Sequence, residues 1–312
     1  MNGIRIVSTG RAVPSKIVTN DDMSKIVDTS DEWISTRTGI KQRYFCNNEK
    51  NWEIAVKAAK NAIEKGNIDK NKIGLIIVAT FTPDYAFPSV ACLAQKELGL
   101  RCDIMAFDMN AACTGFLYAL NVAEGILNSS GEKYALVIGS EQISTRLNME
   151  DRGTCVLFGD GAGAAIIEKS VSKNYSSVMG AEGNTTALVC PGQAMENQYI
   201  LMDGKKVFKF AVSTVGSVIN ELLAKTDNTL DNIDYVVCHQ ANERIIKSII
   251  KQFNCKPEKF YMNMSEYGNT SAASIPIALD EMYEKGLLSH GKKIICVGFG
   301  AGFTWGGMLL EC

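Results

Sequence analysis

Apolar strand patterns alternate with amphipathic helix patterns along the whole chain, and this alternation is what most restricts the possible folds. Continuous apolar runs predict buried strands at Leu75–Ala79 and Tyr134–Gly139, with a shorter one at Met105–Asp108. Between these strands, apolar residues recur at helical spacing from Cys113 to Leu127. Such an alternation is typical of α/β proteins, in which helices pack on buried sheets.

The C-terminal half of the sequence repeats this plan. Strands are predicted at Tyr235–Cys238 and Lys293–Gly298, and between them a turn at Ser265–Thr270 leads into a helix that runs to about Glu284. A repeat of pattern with little residue identity predicts two similar α/β halves. The least patterned stretch, 170–194, is the predicted seam, which gives an N-terminal half of residues 1–170 and a C-terminal half of residues 171–312.

Composition excludes several classes of protein. Of the 312 residues, 46% are hydrophobic and 21% are charged, values that belong to globular proteins and not to disordered chains or coiled coils. Thirty-two basic and 34 acidic residues give a net charge of −2, without the basic excess that nucleic-acid binding needs. The longest apolar run, Ile73–Phe81, is about nine residues, whereas a membrane span needs about 20. The first residues also lack a secretory signal pattern. We therefore expect a cytoplasmic protein that binds neither nucleic acid nor membrane.

The cysteines and histidines do not form a metal-binding pattern. Ten cysteines are scattered without a CxxC pair, and without a secretory signal we expect them to be reduced. The chain has two histidines, His239 and His290, and His290 stands in a polar turn where it should be solvated. We therefore expect no metal site.

Cys113 is the first candidate for chemistry. It follows a predicted strand and opens a predicted helix, where the positive end of the helix dipole favours a thiolate. Its small neighbours Ala111, Ala112 and Gly115 leave room for a substrate. The alternative is a small buried core cysteine.

His239 and Asn269 are the other candidates. His239 ends the strand Tyr235–Cys238, and ligands bind at strand carboxyl ends in open α/β sheets, although a satisfied core histidine has the same pattern. Asn269 stands just before a helix, where asparagine often acts as a cap. An amide donor beside an imidazole can instead hold a developing negative oxygen.

Two glycine-rich strings and one amphipathic helix complete the set. Gly159–Ala164 matches GxGxxA, but Ala165–Ile167 continues as a strand, which argues against a dinucleotide site. Gly298–Gly306 follows a strand, and its backbone N–H groups could face a ligand. The helix Asn242–Phe253 carries Arg244, Lys247 and Lys251 opposite its apolar face, which is either a solvated face or a docking stripe for an acidic partner.

Taken together, these strings resemble the β-ketoacyl-acyl-carrier-protein synthase III family, the initiating condensing enzymes of type II fatty acid synthesis. The matching strings lie at 111–116, 151–154, 158–163, 239–242, 268–274 and 300–306, in the family's order and spacing. The resemblance implies the thiolase fold, with two duplicated α/β halves in a five-layered αβαβα arrangement that dimerises through its sheets.

The resemblance also implies an activity. Such an acyltransferase joins an acyl-CoA primer, which is acetyl-CoA or a short or branched acyl-CoA, to malonyl-acyl-carrier-protein, and it releases CoA and CO₂. The product is 3-ketoacyl-acyl-carrier-protein, and neither a metal nor a cofactor is needed beyond the CoA thioester substrate.

Individual roles follow from the same resemblance. Cys113 is similar to the family's acyl-accepting nucleophile, and His239 and Asn269 are similar to its decarboxylation pair. The backbone N–H groups of Cys113 and Ala301 would form the oxyanion hole. Ala301 stands where several relatives have glycine, which is harmless provided that its φ stays negative.

Binding residues carry over in the same way. Trp33 and Arg152 resemble the pair that sandwiches the adenine of CoA, and Arg37 resembles a CoA phosphate contact. Phe87 resembles the residue that reaches across the dimer to cap the partner's acyl pocket. The basic patch that receives the acyl carrier protein would consist of Lys209, Arg244, Lys247 and Lys251.

Three other functions stay open from the sequence. The chain could be a relative from secondary metabolism with the same triad, such as a polyketide-starter or quinolone-forming synthase. It could be a thiolase-like enzyme that acts without decarboxylation, or a non-catalytic acyl-CoA-binding protein. The primer is also open, because it depends on the pocket near Phe87 and on the loop around Ile143.

Overall fold

The computed structural model describes residues 2–192 and 194–312. Within these residues the strands are β1 (Asn2–Ala12), β2 (Lys16–Thr19), β3 (Gln42–Phe45), β4 (Ile73–Ala79), β5 (Met105–Met109), β6 (Tyr134–Glu141), β7 (Gly161–Val171), β8 (Ser176–Ala181), β9 (Leu188–Val189), β10 (Leu201–Met202), β11 (Tyr235–Cys238), β12 (Phe260–Tyr261), β13 (Lys293–Gly300) and β14 (Thr304–Glu311). The helices are α1 (Asn20–Ser24), α2 (Asp31–Thr38), α3 (Asn51–Lys65), α4 (Val90–Leu98), α5 (Gly115–Ser129), α6 (Gly204–Lys225), α7 (Glu243–Phe253), α8 (Met264–Tyr267) and α9 (Ser274–Glu284).

Two five-stranded sheets have the same topology. The first has the order β5-β4-β6-β7-β1, and the second has the order β12-β11-β13-β14-β8. In each sheet the first three strands of this order run parallel to one another. The fourth strand is antiparallel to the third, and the fifth is antiparallel to the fourth. Strands of the first sheet lie within residues 2–171 and those of the second within residues 176–311. The boundary at residue 170 itself stays a prediction.

Strand residues alternate between two faces and so build five layers. In β4, Leu75 and Ile77 pack with α5 and α9, whereas Ile76 and Val78 pack with α3 and α4. In the second sheet, Val237 joins the central α5 and α9 layer, while its neighbours on β11 pack with α6 and α7. This αβαβα layering confirms the predicted fold class.

Among the strands that differ from the sequence prediction, β5 and β8 are edge strands. The prediction that Met105–Asp108 is buried is wrong, because β5 lies at the edge of the first sheet and Met105 is 54% exposed. β8 falls in the stretch interpreted as a patternless seam, yet it forms the edge of the second sheet. An edge strand needs less apolar sequence than a central one, so its pattern is weaker.

Helix α6 is the one described helix whose length and composition alone would allow it to cross a membrane. It has 22 residues and packs against β13, β14 and α7. Core helices of globular proteins meet the same criterion, so this is weak support for a span.

Candidate active site

Two turns of the same shape carry the candidate residues. Cys113 lies in a 3₁₀ turn, Ala112–Thr114, directly before α5, and a matching 3₁₀ turn, Ser271–Ala273, directly precedes α9. The Oδ1 atom of Asn110 accepts a hydrogen bond from the Ala112 N–H at 3.0 Å. In the second turn the Oδ1 atom of Asn269 accepts one from the Ser271 N–H at 2.9 Å. Here the first turn is named the cysteine turn and the second the asparagine turn.

Each turn holds a strained residue at the same place. Ala112 has φ of +47° and Ser271 has φ of +51°, in the left-handed region that residues with side chains rarely adopt. Each turn also packs on a strand of the other half. A Cβ atom added at Gly300 of β13 would lie 2.9 Å from the Cys113 nitrogen, and one at Gly139 of β6 would overlap the backbone of the asparagine turn. The two halves therefore meet at these turns.

The Cys113 thiol is buried at the junction of two cavities. Its residue is 7% exposed and lines both a cavity of about 570 Å³ and one of about 110 Å³. Burial raises the pKa of the thiol to about 12. Desolvation therefore opposes the thiolate that the helix start is predicted to favour.

His239 follows the carboxyl end of β11, as predicted. Its N–H donates to the Val297 carbonyl at 2.8 Å, and its Nδ1 lies 2.7 Å from the Ser274 Oγ. The ring packs edge-on against Phe299 at a centroid distance of 5.3 Å. Burial lowers the pKa of His239 to about 3, so the imidazole is neutral at physiological pH.

Three hydrogen bonds fix the position of Asn269, and they leave one of its groups free to donate to a substrate. Its N–H donates to the Leu157 carbonyl at 2.9 Å, and its own carbonyl accepts from the Gly159 N–H at 3.0 Å. Since Oδ1 already accepts from Ser271, the side-chain Nδ2 is the group left to donate. The residue is 6% exposed, so such a donor acts in a nearly dry environment.

The smaller cavity is bordered by all three predicted side chains, Cys113, His239 and Asn269. Ala301 lines the larger cavity together with Cys113, and it is not among the described residues with positive φ. The Thr304 hydroxyl joins the two segments, since it donates to the Ala301 carbonyl at 3.0 Å and lies 2.7 Å from the Thr114 hydroxyl. The structure thus brings the predicted nucleophile, donor pair and oxyanion-hole residues together.

The residues predicted to hold CoA form a stacked surface cluster. The guanidinium carbons of Arg37 and Arg152 lie 4.6 Å and 4.7 Å from the centroid of the Trp33 ring. Arg152 also donates to the Asp28 carbonyl at 2.8 Å. A separation of 4.7 Å leaves no room for a planar group between Arg152 and Trp33, so an adenine could be sandwiched by this pair only if the two side chains moved apart.

Phe87 lies at the surface and is 87% exposed. Its neighbours Tyr85 and Ala86 line the larger cavity, whereas Phe87 is absent from the described lining of both cavities. Ile143 is fully buried in the core cluster of the second sheet.

The predicted basic patch lies on one surface. Lys209 on α6 and Arg244, Lys247 and Lys251 on α7 are all exposed, while the isoleucines of α7 are buried. Lys247 pairs with Glu243 at 2.9 Å. The cap of α7, Asn242, donates to the Arg37 carbonyl at 3.0 Å, so the patch adjoins the arginine cluster.

Some residues of the site were not found from the sequence. Ser274, which bonds His239, stands in a recognised string but was given no role. Ser271 lines the larger cavity beside Cys113. Glu141 lies fully buried at the end of β6, and a charged residue two positions after the predicted apolar strand Tyr134–Gly139 is a visible signal.

Comparisons with known proteins agree along the whole chain. Residues 107–186 match the family described as 3-oxoacyl-[acyl-carrier-protein] synthase III, and residues 223–312 match its C-terminal domain. The chain is 48% identical to a β-ketoacyl-[acyl-carrier-protein] synthase III of Clostridium acetobutylicum, over 100% of this chain and 99% of that protein.

Two solved structures superpose on nearly the whole chain. The 3-oxoacyl-[acyl-carrier-protein] synthase III from Aquifex aeolicus superposes with a TM-score of 0.94 at 43% identity, covering 99% of this chain and 100% of that one. A priming β-ketosynthase from the R1128 polyketide pathway superposes with a TM-score of 0.93 at 32% identity, covering 99% and 96%. The chain belongs to the β-ketoacyl-[acyl-carrier-protein] synthase III family of condensing enzymes.

Proposed function

We propose that the protein condenses an acyl-CoA primer with malonyl-acyl-carrier-protein, with loss of CO₂, to start fatty acid synthesis. The observation that carries this proposal is the shared border of one cavity by Cys113, His239 and Asn269. A thiol supplies the acyl acceptor, and two neutral donors beside it supply the stabilisation of an enolate oxygen.

In the first step, the Cys113 sulfur attacks the thioester carbonyl of the acyl-CoA. The backbone N–H groups of Cys113 and Ala301 stabilise the negative oxygen of the tetrahedral intermediate. Thr304 supports this geometry, because its hydroxyl bonds the Ala301 carbonyl and contacts the carbonyl of Ala111 at 3.3 Å. CoA leaves, and the acyl group stays on sulfur.

In the second step, the malonyl carboxylate leaves as CO₂, and the enolate attacks the acyl-cysteine. Ser274 accepts from the Gln240 N–H at 3.4 Å, so its own proton is free to donate to the Nδ1 of His239. That tautomer carries a proton on Nε2, which donates to the enolate oxygen together with the Nδ2 of Asn269. The depressed pKa of His239 keeps this donor neutral, and a neutral donor does not protonate the enolate carbon nucleophile prematurely.

Substrate binding follows from the surface residues. Arg37 and Arg152 would hold CoA with Trp33, and the patch of Lys209, Arg244, Lys247 and Lys251 would receive the acidic carrier protein. Phe87, which is exposed and is not among the residues that line either described cavity, would cap the acyl pocket of a second copy in a homodimer. We keep a cytoplasmic location and the two-half division at residue 170 as parts of the same proposal.

The test is a screen of acyl-CoA primers with malonyl-acyl-carrier-protein as extender, with CO₂ release and 3-ketoacyl product both measured. We expect turnover with at least one short or branched primer, and we expect Cys113→Ser to abolish acyl transfer. Absence of CO₂ release with every primer, while Cys113 still becomes acylated, would contradict the decarboxylative reaction.

A second candidate function has one specific observation in its favour. The similarity to a priming β-ketosynthase of a polyketide pathway, at 32% identity, fits a starter enzyme with the same three residues. Comparison of malonyl-acyl-carrier-protein with malonyl-CoA and other acceptors separates the two, because the fatty acid enzyme should use the carrier-bound extender by a wide margin.

A further inference from the structure

Glu141 has a buried carboxyl group that plays no part in the reaction steps proposed above. It ends β6 and is fully buried. Its Oε2 accepts hydrogen bonds from the Thr80 hydroxyl at 3.2 Å, the Phe81 N–H at 3.2 Å and the Thr82 hydroxyl at 2.6 Å. Its Oε1 has no hydrogen-bond partner among the described residues. A buried polar atom without a partner is costly, which makes it a sign of function.

Glu141 lies on the face of β6 that packs against the asparagine turn. Residues 139 and 141 share a face of β6, and a Cβ atom at Gly139 would overlap the Ala272 backbone. The Ser271 hydroxyl of this turn is also buried and also lacks a formed hydrogen bond in the described structure. Ser271 lines the larger cavity together with Cys113, and its hydroxyl lowers the pKa of both the Cys113 thiol and the Glu141 carboxyl. A serine hydroxyl therefore stands between the nucleophile and a carboxyl group.

The repeated architecture shows that this carboxyl is specific to one half. Gly300 occupies the corresponding end of β13, where any side chain would collide with the cysteine turn. The second sheet therefore packs its backbone closely against Cys113, whereas the first sheet places a carboxyl group at the corresponding position.

We propose that Ser271 and Glu141 accept the thiol proton of Cys113 during acylation. The sulfur–hydrogen bond breaks as its proton passes to the Ser271 Oγ, and the Ser271 hydroxyl proton passes to the Glu141 Oε1. The products are a thiolate, an intact serine and a neutral carboxylic acid. CoA leaves as a thiolate and takes a proton from water. When condensation later frees the Cys113 thiolate, the proton returns along the same route.

Electrostatics agree with this assignment, which rests on the proposed acylation of Cys113. His239, with its pKa lowered to about 3, is a poor proton acceptor. Burial raises the pKa of Glu141 to about 8, so its basic carboxylate form becomes dominant above that pH. The titratable groups that face it are the thiols of Cys113 and Cys190, and Arg146 is the cation that acts on Cys190 beside it.

The experiment is single-turnover acylation by acetyl-CoA, followed by quenching and intact-protein mass spectrometry from pH 6.5 to 9.5. The wild-type rate should rise through an apparent pKa near 8. Glu141→Gln and Ser271→Ala should lose that step and acylate at least about tenfold more slowly at pH 8. A purely electrostatic role gives the opposite sign, because the Glu141 charge raises the pKa of Cys113. Faster acylation in Glu141→Gln, or an unchanged pH profile in either variant, would overturn the proposal.

Control variants distinguish a loss of folding and a failure of the proposed function from a failure of the proposed proton transfer. Ser271→Ala leaves intact the hydrogen bonds that Glu141 accepts from Thr80, Phe81 and Thr82, so it should fold even if Glu141→Gln does not. Ser8→Ala, at an equally buried serine on β1 that bonds the Ala62 carbonyl, should acylate at the wild-type rate, and an equal slowing there would overturn the proposal. If the wild-type protein takes up no acetyl group on Cys113, the proposed function fails as well, whereas normal acylation with unaffected variants contradicts the relay alone.

Discussion

The cysteine turn and the asparagine turn have matching backbone conformations but different chemical roles in the proposed reaction. In both, an asparagine Oδ1 accepts from the residue two positions later, and that residue has a positive φ. Asn110 is exposed, however, whereas Asn269 is 6% exposed. Cys113 of the first turn corresponds to Ala272 of the second. The comparison teaches that the duplicated fold supplies the scaffold, and that burial decides which copy of the same amide becomes a useful donor.

The largest expected effect separates the two asparagines. Asn269→Ala should leave acylation of Cys113 intact but slow condensation by roughly 10²–10³-fold, since a preorganised oxyanion donor is lost. Asn110→Ala removes the hydrogen bond from the Ala112 N–H, so it should cost about 1 kcal/mol of unfolding free energy and far less condensation rate. Separate rate measurements of the two half-reactions check this. Equal losses of condensation in both variants would break the comparison.

A smaller effect is expected where β13 supports the cysteine turn. Gly300→Ala places a Cβ atom 2.9 Å from the Cys113 nitrogen, so it should lower the free energy of unfolding by about 1–3 kcal/mol and slow acylation. Gly125→Ala is the matched control, because it lies on the exposed side of α5 with nothing within 4 Å of the added carbon. Urea unfolding measures both. A harmless Gly300→Ala would mean that the turn does not depend on this close contact.

The free energy of unfolding at acid pH tests whether His239 is buried in its neutral form. Its pKa is about 3 in the folded protein and about 6.5 when unfolded, so the unfolded state binds more protons between those values. Stability is therefore lost as the pH falls below 6.5, by about 2 kcal/mol at pH 5. His239→Gln should remove that part of the loss, whereas His290→Gln, at an exposed position, should retain it. Urea unfolding at pH 7 and pH 5 is the measurement, and equal behaviour of the two variants would contradict a buried neutral imidazole.

The smallest expected effect concerns docking of the acyl carrier protein, for which the C-terminal half supplies the basic residues. Arg244→Ala should raise KM for malonyl-acyl-carrier-protein roughly five- to tenfold at low salt, while KM for acyl-CoA changes little. Lys247→Ala should have a weaker effect, because Lys247 already pairs with Glu243 at 2.9 Å. Steady-state kinetics with each substrate varied in turn tests this. An equal rise in both KM values would reject the docking role.

Much of this arrangement could be predicted from the sequence. Central strands such as Leu75–Ala79 are apolar throughout because they are buried on both faces, so their pattern is strong. The turns around Cys113 and Asn269 were found from small residues and from the family resemblance. The sequence pattern does not predict the edge strand β8, because one side of this strand faces solvent.

The electrostatic state of the site could not be predicted in this way. The helix start at Cys113 predicted a thiolate, but the degree of burial, which raises the pKa of the thiol, depends on the packing of both halves. The pairing of Ser271 with Glu141 has the same origin, since β6 reaches the asparagine turn only in the assembled fold. Long-range packing is the information that local sequence patterns lack.

The central claim is that one thiol and two donors, drawn from both halves, surround a single reacting group. A crystal structure of the protein acetylated on Cys113 tests it most directly. We expect the thioester oxygen to accept from the backbone N–H groups of Cys113 and Ala301. The Nε2 of His239 and the Nδ2 of Asn269 should converge within about 3.2 Å of one point beside the acetyl carbon. An acetyl group on another residue, or two donors that face separate spaces, would contradict the account.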